Sequence, residues 1–188
     1  MMGGNVLYET IKNEIVGIYA GSHKKLRNGT TLFGELDEGR WHTYLLHPLT
    51  SSEIARFEEQ MQTVFPSQYK DCLSFTNGCW LFDLLRIAGK APDTYRGMSE
   101  EEESFSPFPL EDLQQLYKRK RTPPDHFIFA DSFVKQAYYA IDSTGHVHEV
   151  TYKTKKTAQT FDSIALLLQS IVEEGKEQIE NDLSFEFT

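Results

Sequence analysis

Apolar residues recur at helical spacing near both ends of the chain. The first set, which predicts a helix over residues 6–18, comprises Leu7, Ile11, Ile15 and Ile18. The last set, which predicts a helix that Asp162 caps, comprises Ile164, Leu167, Leu168, Ile171 and Val172. The residues after Gly175 are acidic, and we expect them to form a tail that frays.

Between residues 50 and 89 the pattern predicts two short amphipathic helices and then a strand. Thr50 and Glu53 form a capping box at the start of the first helix. Its apolar stripe comprises Ile54, Phe57, Met61 and Val64. Phe65-Pro66 ends this helix, because proline disfavours a helical conformation in the preceding residue. Asn77-Gly78 ends the second helix by supplying left-handed residues, and the apolar run over residues 79–87 predicts one buried central strand.

Alternating and apolar runs predict the rest of a sheet. Residues 41–46 are typical of a strand or an extended lead-in, and residues 127–130, 137–141 and 146–152 predict an antiparallel meander. We expect loops over residues 20–40, with a short hairpin near residues 30–33, and over residues 90–108. A helix over residues 110–117 would end at the basic run 118–121. This order predicts an α+β domain whose helices pack mainly on one face of an antiparallel or mixed sheet.

The charge of the chain narrows the classes of partner. Nineteen basic and twenty-eight acidic residues give a net charge of −9, which argues against nucleic-acid binding and is compatible with a basic protein partner. No signal peptide or membrane-length apolar run occurs, and the two cysteines, Cys72 and Cys79, are expected to be reduced thiols. We therefore expect a soluble cytoplasmic protein that does not bind a membrane.

Short motifs follow one another in a set order along the chain. Those over residues 50–89 are Ile54-x-x-Phe57-Glu58, Pro66-x-x-Tyr69-Lys70, Asn77-Gly78 and Ile87-Ala88-Gly89. Those that follow are Phe127-Ile128-Phe129-Ala130, Tyr139-Ala140-Ile141-Asp142 and Gly145-His146-Val147. Their order over residues 50–172 resembles the SMI1/KNR4 family of the SUKH superfamily, and in particular its bacterial immunity-protein-like members.

The resemblance implies a scaffold and sets apart what is particular to this chain. The residues that it identifies as the structural signature are Phe57, Glu58, Pro66, Tyr69, Asn77, Gly78, Gly89, Asp142 and Gly145. The chain departs from the family pattern at Cys79, where a second glycine is usual, and at residues 131–136, which replace a Gly-Asp-Gly-Asp loop. The resemblance places the family domain at residues 50–175. We expect residues 1–49 to form an extension of helix and loop that packs on the same domain, and residues 176–188 to form an acidic tail.

The resemblance also implies binding rather than catalysis. Many bacterial members neutralise a cognate toxin, often a nuclease, whereas fungal members regulate cell-wall synthesis by interaction. We therefore expect a non-enzymatic immunity protein that covers the active or substrate-binding surface of its toxin. A regulatory scaffold without a toxin partner is the alternative, and a hydrolase is a remote one.

The candidate binding residues lie in the parts that the resemblance leaves variable. One interpretation of the glutamate run is an acidic projection that contacts a basic partner. Its residues are Glu100, Glu101, Glu102 and Glu103. A run of glutamates is also typical of a solvated loop. Asp93 and Trp41 complete the predicted partner-binding set, although Trp41 also suits a core position. His146 and His148 are spaced to lie on one face of a strand, but zinc needs three or four ligands, so we predict no metal site. We also predict no cofactor and no catalytic residue.

Overall fold

A computed structural model describes residues 3–37, 39–118 and 122–182. Within these ranges the helices are α1 (Gly3–Ile18), α2 (Ser51–Met61), α3 (Ser67–Phe75), α4 (Glu100–Ser104), α5 (Leu110–Tyr117) and α6 (Ile164–Asn181). The strands are β1 (His23–Lys25), β2 (Thr31–Asp37), β3 (Arg40–Leu45), β4 (Cys79–Leu81), β5 (Leu85–Ile87), β6 (Phe127–Ser132), β7 (Ala137–Ile141), β8 (Val147–Thr151) and β9 (Thr157–Phe161). No helix in the described ranges has the length and apolar character needed to cross a bilayer.

The strands form one antiparallel sheet in which neighbours in sequence are neighbours in space, from β1 to β9. Helices α1, α3 and α6 pack together on one face, called here the first face, and α6 contacts β4 and β9. Helix α5 packs on the opposite, second face, where the ring of Tyr117 stacks on Tyr138 of β7 at 5.3 Å. The predicted α+β class with helices mainly on one face of the sheet is therefore confirmed.

Several local predictions are confirmed by the hydrogen bonding. Thr50 and Glu53 form both bonds of the capping box at the start of α2. Helix α3 ends at Phe75 with Thr76 as its C-cap, and of the predicted Asn77-Gly78 pair only Gly78 is left-handed, with a φ of +85° that glycine tolerates best. A Cβ at this position would also lie 2.7 Å from the carbonyl oxygen of Ile87, so both backbone and space require glycine.

The predicted single strand over residues 79–87 is wrong, because the chain reverses within it. Phe82 and Asp83 adopt φ values of +54° and +57°, and the N–H of Leu84 donates to the carbonyl of Leu81 at 2.8 Å. Strands β4 and β5 then pair antiparallel, with Leu81 opposite Leu85. Because the reversal contains no glycine or asparagine, the apolar run does not predict a hairpin there.

Other boundaries also differ from the sequence prediction. Residues 20–40, expected to be mainly loop, contain β1 and β2, and β9 was not predicted. The glutamate run is the helix α4 rather than loop. Ser163, not Asp162, caps α6, since its side chain accepts a hydrogen bond from the N–H of Leu166. Lys118 is the one described residue of the basic run 118–121, and residues 183–188 of the predicted tail lie outside the described residues.

Helix α6 continues past Gly175 to Asn181, so the expected fraying there is wrong. Gly175 is buried, and a Cβ at this position would lie 2.2 Å from the ring of Phe82. Glycine thus marks a close approach between α6 and the β4–β5 turn rather than the end of the helix.

The signature residues of the second helix and the following strands join α3 to the sheet. The hydroxyl of Tyr69 donates to the carbonyl of Ala88 at 2.8 Å. The side-chain amide of Asn77 accepts from the N–H of Lys90 at 2.7 Å and donates to its carbonyl at 2.9 Å. Gly89 leaves room for this pairing, because a Cβ there would lie 2.4 Å from the carbonyl oxygen of Asn77.

The remaining signature residues hold two turns. Glu58 accepts from the backbone N–H of Phe65 at 2.7 Å, just before Pro66 and the start of α3, and the ring of Phe57 packs edge-on against Phe65 at 4.9 Å. Asp142 accepts from the backbone N–H groups of Thr144 and His146 at 2.9 and 3.0 Å. Gly145 has a φ of +92° in the same turn.

Candidate functional site

A groove of about 320 Å³ opens on the second face of the sheet, beside α4 and the segment 105–109 that precedes α5. Its floor is a cross-strand row, because Tyr44, Trp80 and Arg86 are direct partners on β3, β4 and β5. Residues opposite each other on neighbouring strands share one face of the sheet. The lining of this second-face groove includes Tyr44, Trp80, Arg86, Tyr95, Glu103 and Phe108.

Arg86 at the groove floor is neutralised by a carboxylate beside it on β6. Its Nε and Nη2 donate to Oδ1 and Oδ2 of Asp131 at 2.9 and 2.7 Å, and Asp131 is completely buried. Tyr117 adds a third hydrogen bond to Asp131 Oδ2 at 2.7 Å. Burial raises the pKa of Tyr117, so it donates as a neutral phenol.

Aromatic rings surround this cation. The guanidinium carbon of Arg86 lies 3.7 Å from the ring centroid of Phe108 and 4.8 Å from that of Phe133. Trp80 stacks on Tyr44, with 6.4 Å between centroids and 9° between planes. Burial raises the pKa of Tyr44 to about 12, so this ring is uncharged at neutral pH.

Large apolar side chains remain in solvent at the rim of the groove. Tyr95 lines the groove and is 45% exposed, and Phe133, whose ring lies 6.3 Å from that of Trp80, is 53% exposed beside it. Aromatic residues and arginine are the types most enriched at the energetic centres of protein interfaces. The second-face groove therefore has the composition of a protein-binding surface.

A second large groove offers a contrast. It occupies about 600 Å³ between α1 and α6 and is lined by charged side chains that include Glu14, Glu173 and Lys176. No aromatic ring lines it among the described residues. Composition rather than volume therefore favours the second-face groove as the candidate binding site.

The four predicted glutamates take different positions in α4. Glu102 is buried, where its carboxylate accepts from the N–H of Ser99 at 2.9 Å and from Arg27 Nη2 at 2.9 Å. These two hydrogen bonds hold the pKa of Glu102 below its ordinary value. Glu101 pairs with Lys24 on β1 at 2.7 Å. Glu100 and Glu103 are exposed, and Glu103 lines the groove.

Asp93 and Trp41 lie apart from the groove lining. Asp93 is exposed and pairs with Lys90 at 2.7 Å, and this ion pair and hydrogen bond lower its pKa. Trp41 is partly buried, and its indole Nε1 is buried without a hydrogen-bond partner among the described residues. Neither side chain is among the residues that line the second-face groove.

Most residues of the second-face groove were not predicted as binding residues from the sequence. Trp80 lies in the run 79–87 that the sequence predicts to be a buried strand, yet it is partly exposed and its Nε1 donates to Asp83 Oδ1 at 2.7 Å. Arg86 sat inside the predicted buried strand, and Phe133 lay in the segment 131–136 that departs from the family pattern. A signal was present in that segment, because two large apolar residues, Phe133 and Val134, stand where the family has a polar turn.

The described residues do not assemble an obvious catalytic or metal centre. No group of three or more His, Cys, Asp or Glu residues within the described ranges is placed to hold a metal ion. Where the pKa of a carboxylate is perturbed, hydrogen bonds at separate caps and turns lower it. These carboxylates are Glu53, Asp93, Glu102 and Asp142. A general acid at neutral pH would need a raised pKa instead.

His146 and His148 both serve the turn that precedes β8. His148 Nε2 lies 2.7 Å from Asp142 Oδ2, and His146 Nδ1 lies 2.7 Å from the hydroxyl of Thr144. The ring of His148 also stacks on that of His126 at 5.4 Å. These contacts occupy the histidine side chains in local structure.

Comparison with known proteins identifies the scaffold that carries the groove. No curated protein matches the chain. A model of the SMI1 / KNR4 family (SUKH-1) matches residues 48–169, which is more than half of the chain. The match spans α2, α3 and the strands from β4 to β9, and it therefore includes Trp80, Arg86 and Phe133. The chain belongs to the SMI1/KNR4 family (SUKH-1).

Proposed function

We propose that this protein is a non-enzymatic immunity protein that neutralises a cognate toxin by covering its active or substrate-binding surface. The SMI1/KNR4 family is known for immunity proteins, and its domains are generally non-enzymatic binding modules. The second-face groove is the contact surface in this proposal. The partner in this proposal is a protein toxin, and a nuclease is one class of toxin that it includes. The two proteins meet in the cytoplasm.

One observation carries the proposal: exposed aromatic side chains gather around a neutralised arginine. Phe133 and Tyr95 are about half exposed although each would bury a large apolar area in a complex. The ion pair with Asp131 fixes Arg86 in place, and Arg86 in turn supports Phe133 from below. Rings held in position lose little conformational freedom when a partner covers them.

The charge around the groove suits a basic partner. Glu103 lines the groove, Glu100 is exposed one turn earlier on α4, and the side chain of Asp83 is 57% exposed beside Trp80. Together with the net charge of −9, these carboxylates would steer a basic surface toward the aromatic centre. Glu101 already pairs with Lys24, so we propose a direct partner contact for Glu100 and Glu103 first.

The predicted division of the chain fits this arrangement. We propose that residues 1–49 form an extension on the family domain of residues 50–175, which is supported by the packing of α1 against α3 and α6. Asp93 and Trp41 are proposed as flanking contacts, outside the groove itself. Residues 90–108 border the groove through Tyr95, Glu103 and Phe108, and they are the part in which we place partner specificity.

A co-expression experiment tests the proposal. The gene is expressed in a bacterial host together with a toxin encoded beside it, and survival is counted with and without the immunity gene. We expect wild-type protein and the Val64→Ala/Leu116→Ala control to protect the host, since Val64 and Leu116 are exposed apolar residues that do not line the groove. We expect Tyr95→Ala/Phe133→Ala to lose protection. Absence of protection by the wild type, or full protection by the groove variant, would overturn the proposal.

A further inference from the structure

A third groove, of about 410 Å³, lies between α1 and the β1–β2 hairpin. Helix α1 contributes Lys12 and Val16, which are one helical turn apart and therefore share a face. The hairpin contributes two cross-strand pairs, His23 with Phe33 and Lys25 with Thr31. This cleft is called here the α1–hairpin groove, and its volume falls in the range of small-molecule sites.

The charges in the α1–hairpin groove have one sign. Its charged lining residues are Lys12 and Lys25, the histidines His23 and His47 lie beside them, and it contains no aspartate or glutamate among the described residues. Neither Lys12 nor Lys25 forms an ion pair with a described residue. By contrast, carboxylates line both the groove between α1 and α6 and the second-face groove. In a chain with a net charge of −9, a groove with two unpaired lysines and no carboxylate runs against the overall charge.

The floor of the same groove is apolar and firmly packed. Phe33 stacks on Tyr19 at 6.0 Å, and Phe75 stacks on Tyr8 at 5.0 Å, so the two floor rings are held from behind by buried tyrosines. Val16 on the wall is 44% exposed. An apolar body placed here would therefore meet a preformed surface, with cations around it.

The groove is built almost wholly from the N-terminal extension. Its lining residues from α1, β1, β2 and β3 all precede residue 48, where the family match begins, and from inside the match Pro48 and Phe75 contribute. His47 lies against Gly29, where a Cβ would come within 2.6 Å of His47 Nδ1. The extension thus forms one wall and the rim of a site that the family domain alone would lack.

We propose that the α1–hairpin groove binds a small amphiphilic carboxylic acid, with one anionic head and an apolar body of medium-chain size. Lys12 and Lys25 hold the carboxylate, because they stand on opposite sides of the groove on α1 and β1. Phe33, Phe75 and Val16 contact the apolar body. This ligand satisfies both the unpaired cations and the apolar floor, which a free phosphate or an uncharged lipid would not.

Titration of the full chain followed by two-dimensional NMR tests the proposal, with octanoate as the probe. Octylammonium has the same apolar body with the opposite charge, and acetate has the head without the body. We expect octanoate to shift the resonances of Val16, Phe33 and Phe75 in a saturable way, and the two comparison compounds to leave them unshifted at equal concentration.

Matched charge variants locate the carboxylate. Lys12→Gln/Lys25→Gln is expected to weaken octanoate binding about tenfold, since two partly exposed charge contacts are lost. Lys153→Gln/Lys156→Gln removes two exposed lysines outside this groove and is expected to leave the affinity unchanged. Equal binding of octylammonium, an unchanged affinity in the Lys12/Lys25 variant, or the absence of shifts at the three floor and wall residues would each overturn the proposal.

Discussion

Arg86 and Asp131 form a two-pronged ion pair at the floor of the second-face groove, with N–O distances of 2.9 and 2.7 Å. The carboxylate is completely buried, whereas 15% of the arginine side chain remains accessible. The pair therefore places a planar cation under Phe108 and Phe133 without leaving an uncompensated charge. Its main role in this account is to orient the aromatic rings that a partner would contact.

Loss of one partner of this pair should be strongly destabilising. Asp131→Ala leaves the guanidinium of Arg86 without its counter-ion in a largely buried position, and we expect a loss of about 3–5 kcal/mol in the free energy of unfolding. The double variant Arg86→Met/Asp131→Leu should lose less than Asp131→Ala alone, because it removes both charges. Urea denaturation measures both effects, and a double variant less stable than Asp131→Ala would contradict this reading of the pair.

Gly175 should be intolerant of even a methyl group. Gly175→Ala places a Cβ 2.2 Å from the ring of Phe82, which has no free space to retreat because it is buried, so we expect a loss of about 1–3 kcal/mol. Gly17→Ala on α1 is the matched control, since no atom lies within 4 Å of its Cβ position. It should be neutral or stabilising by up to about 1 kcal/mol. Thermal and urea unfolding that ranked the two variants equally would refute the proposed close approach.

Asn77 should stabilise the fold through its side-chain amide. Asn77→Ala removes both hydrogen bonds to the backbone of Lys90, and we expect a loss of about 1–3 kcal/mol in unfolding free energy. Asn13→Ala, on the exposed face of α1, is the control and should change stability by less than about 0.5 kcal/mol. If the two substitutions have equal effects in urea, the pairing with Lys90 is energetically unimportant.

Asp142 should make part of the stability depend on acid pH. Hydrogen bonds from His148 and Thr144 lower the pKa of Asp142 below its unfolded value of about 3.9. A lowered folded pKa gives stabilisation that is present above the unfolded value and is lost as the pH falls through the folded value. Asp142→Asn should therefore be less stable than wild type at about pH 7, and the difference should shrink at about pH 3. A difference in urea midpoint that is independent of pH would contradict this assignment.

The predictable parts of the fold are those encoded by neighbouring residues. The capping box of Thr50 and Glu53 and the left-handed glycine at Gly78 after α3 depend on side chains and backbone within a few positions, and both are present. The reversal at Phe82 and Asp83 depends on tertiary packing, since Phe82 enters the core beside Gly175, and Asp83 is its one residue of a turn-favouring type.

The same distinction explains the candidate site. The exposed glutamates of α4 were recognisable from composition, but the burial of Glu102 depends on Arg27, which is far away in sequence. Trp80 and Arg86 lie next to each other only after β4 and β5 pair. A groove made by cross-strand neighbours on a face of a sheet requires the register, which the apolar run over residues 79–87 does not contain.

The most direct measurement of the central claim is the affinity of the protein for a toxin encoded beside its gene, measured by isothermal titration calorimetry with catalytically inactive toxin. Phe133→Ala truncates an exposed ring beside Trp80 and Arg86 of the second-face groove, and Val64→Ala truncates an exposed apolar residue elsewhere, so neither should unfold the protein. We predict that wild type and Val64→Ala bind equally and that Phe133→Ala binds at least about tenfold more weakly. Equal affinities for all three proteins, or no binding by the wild type, would contradict this prediction.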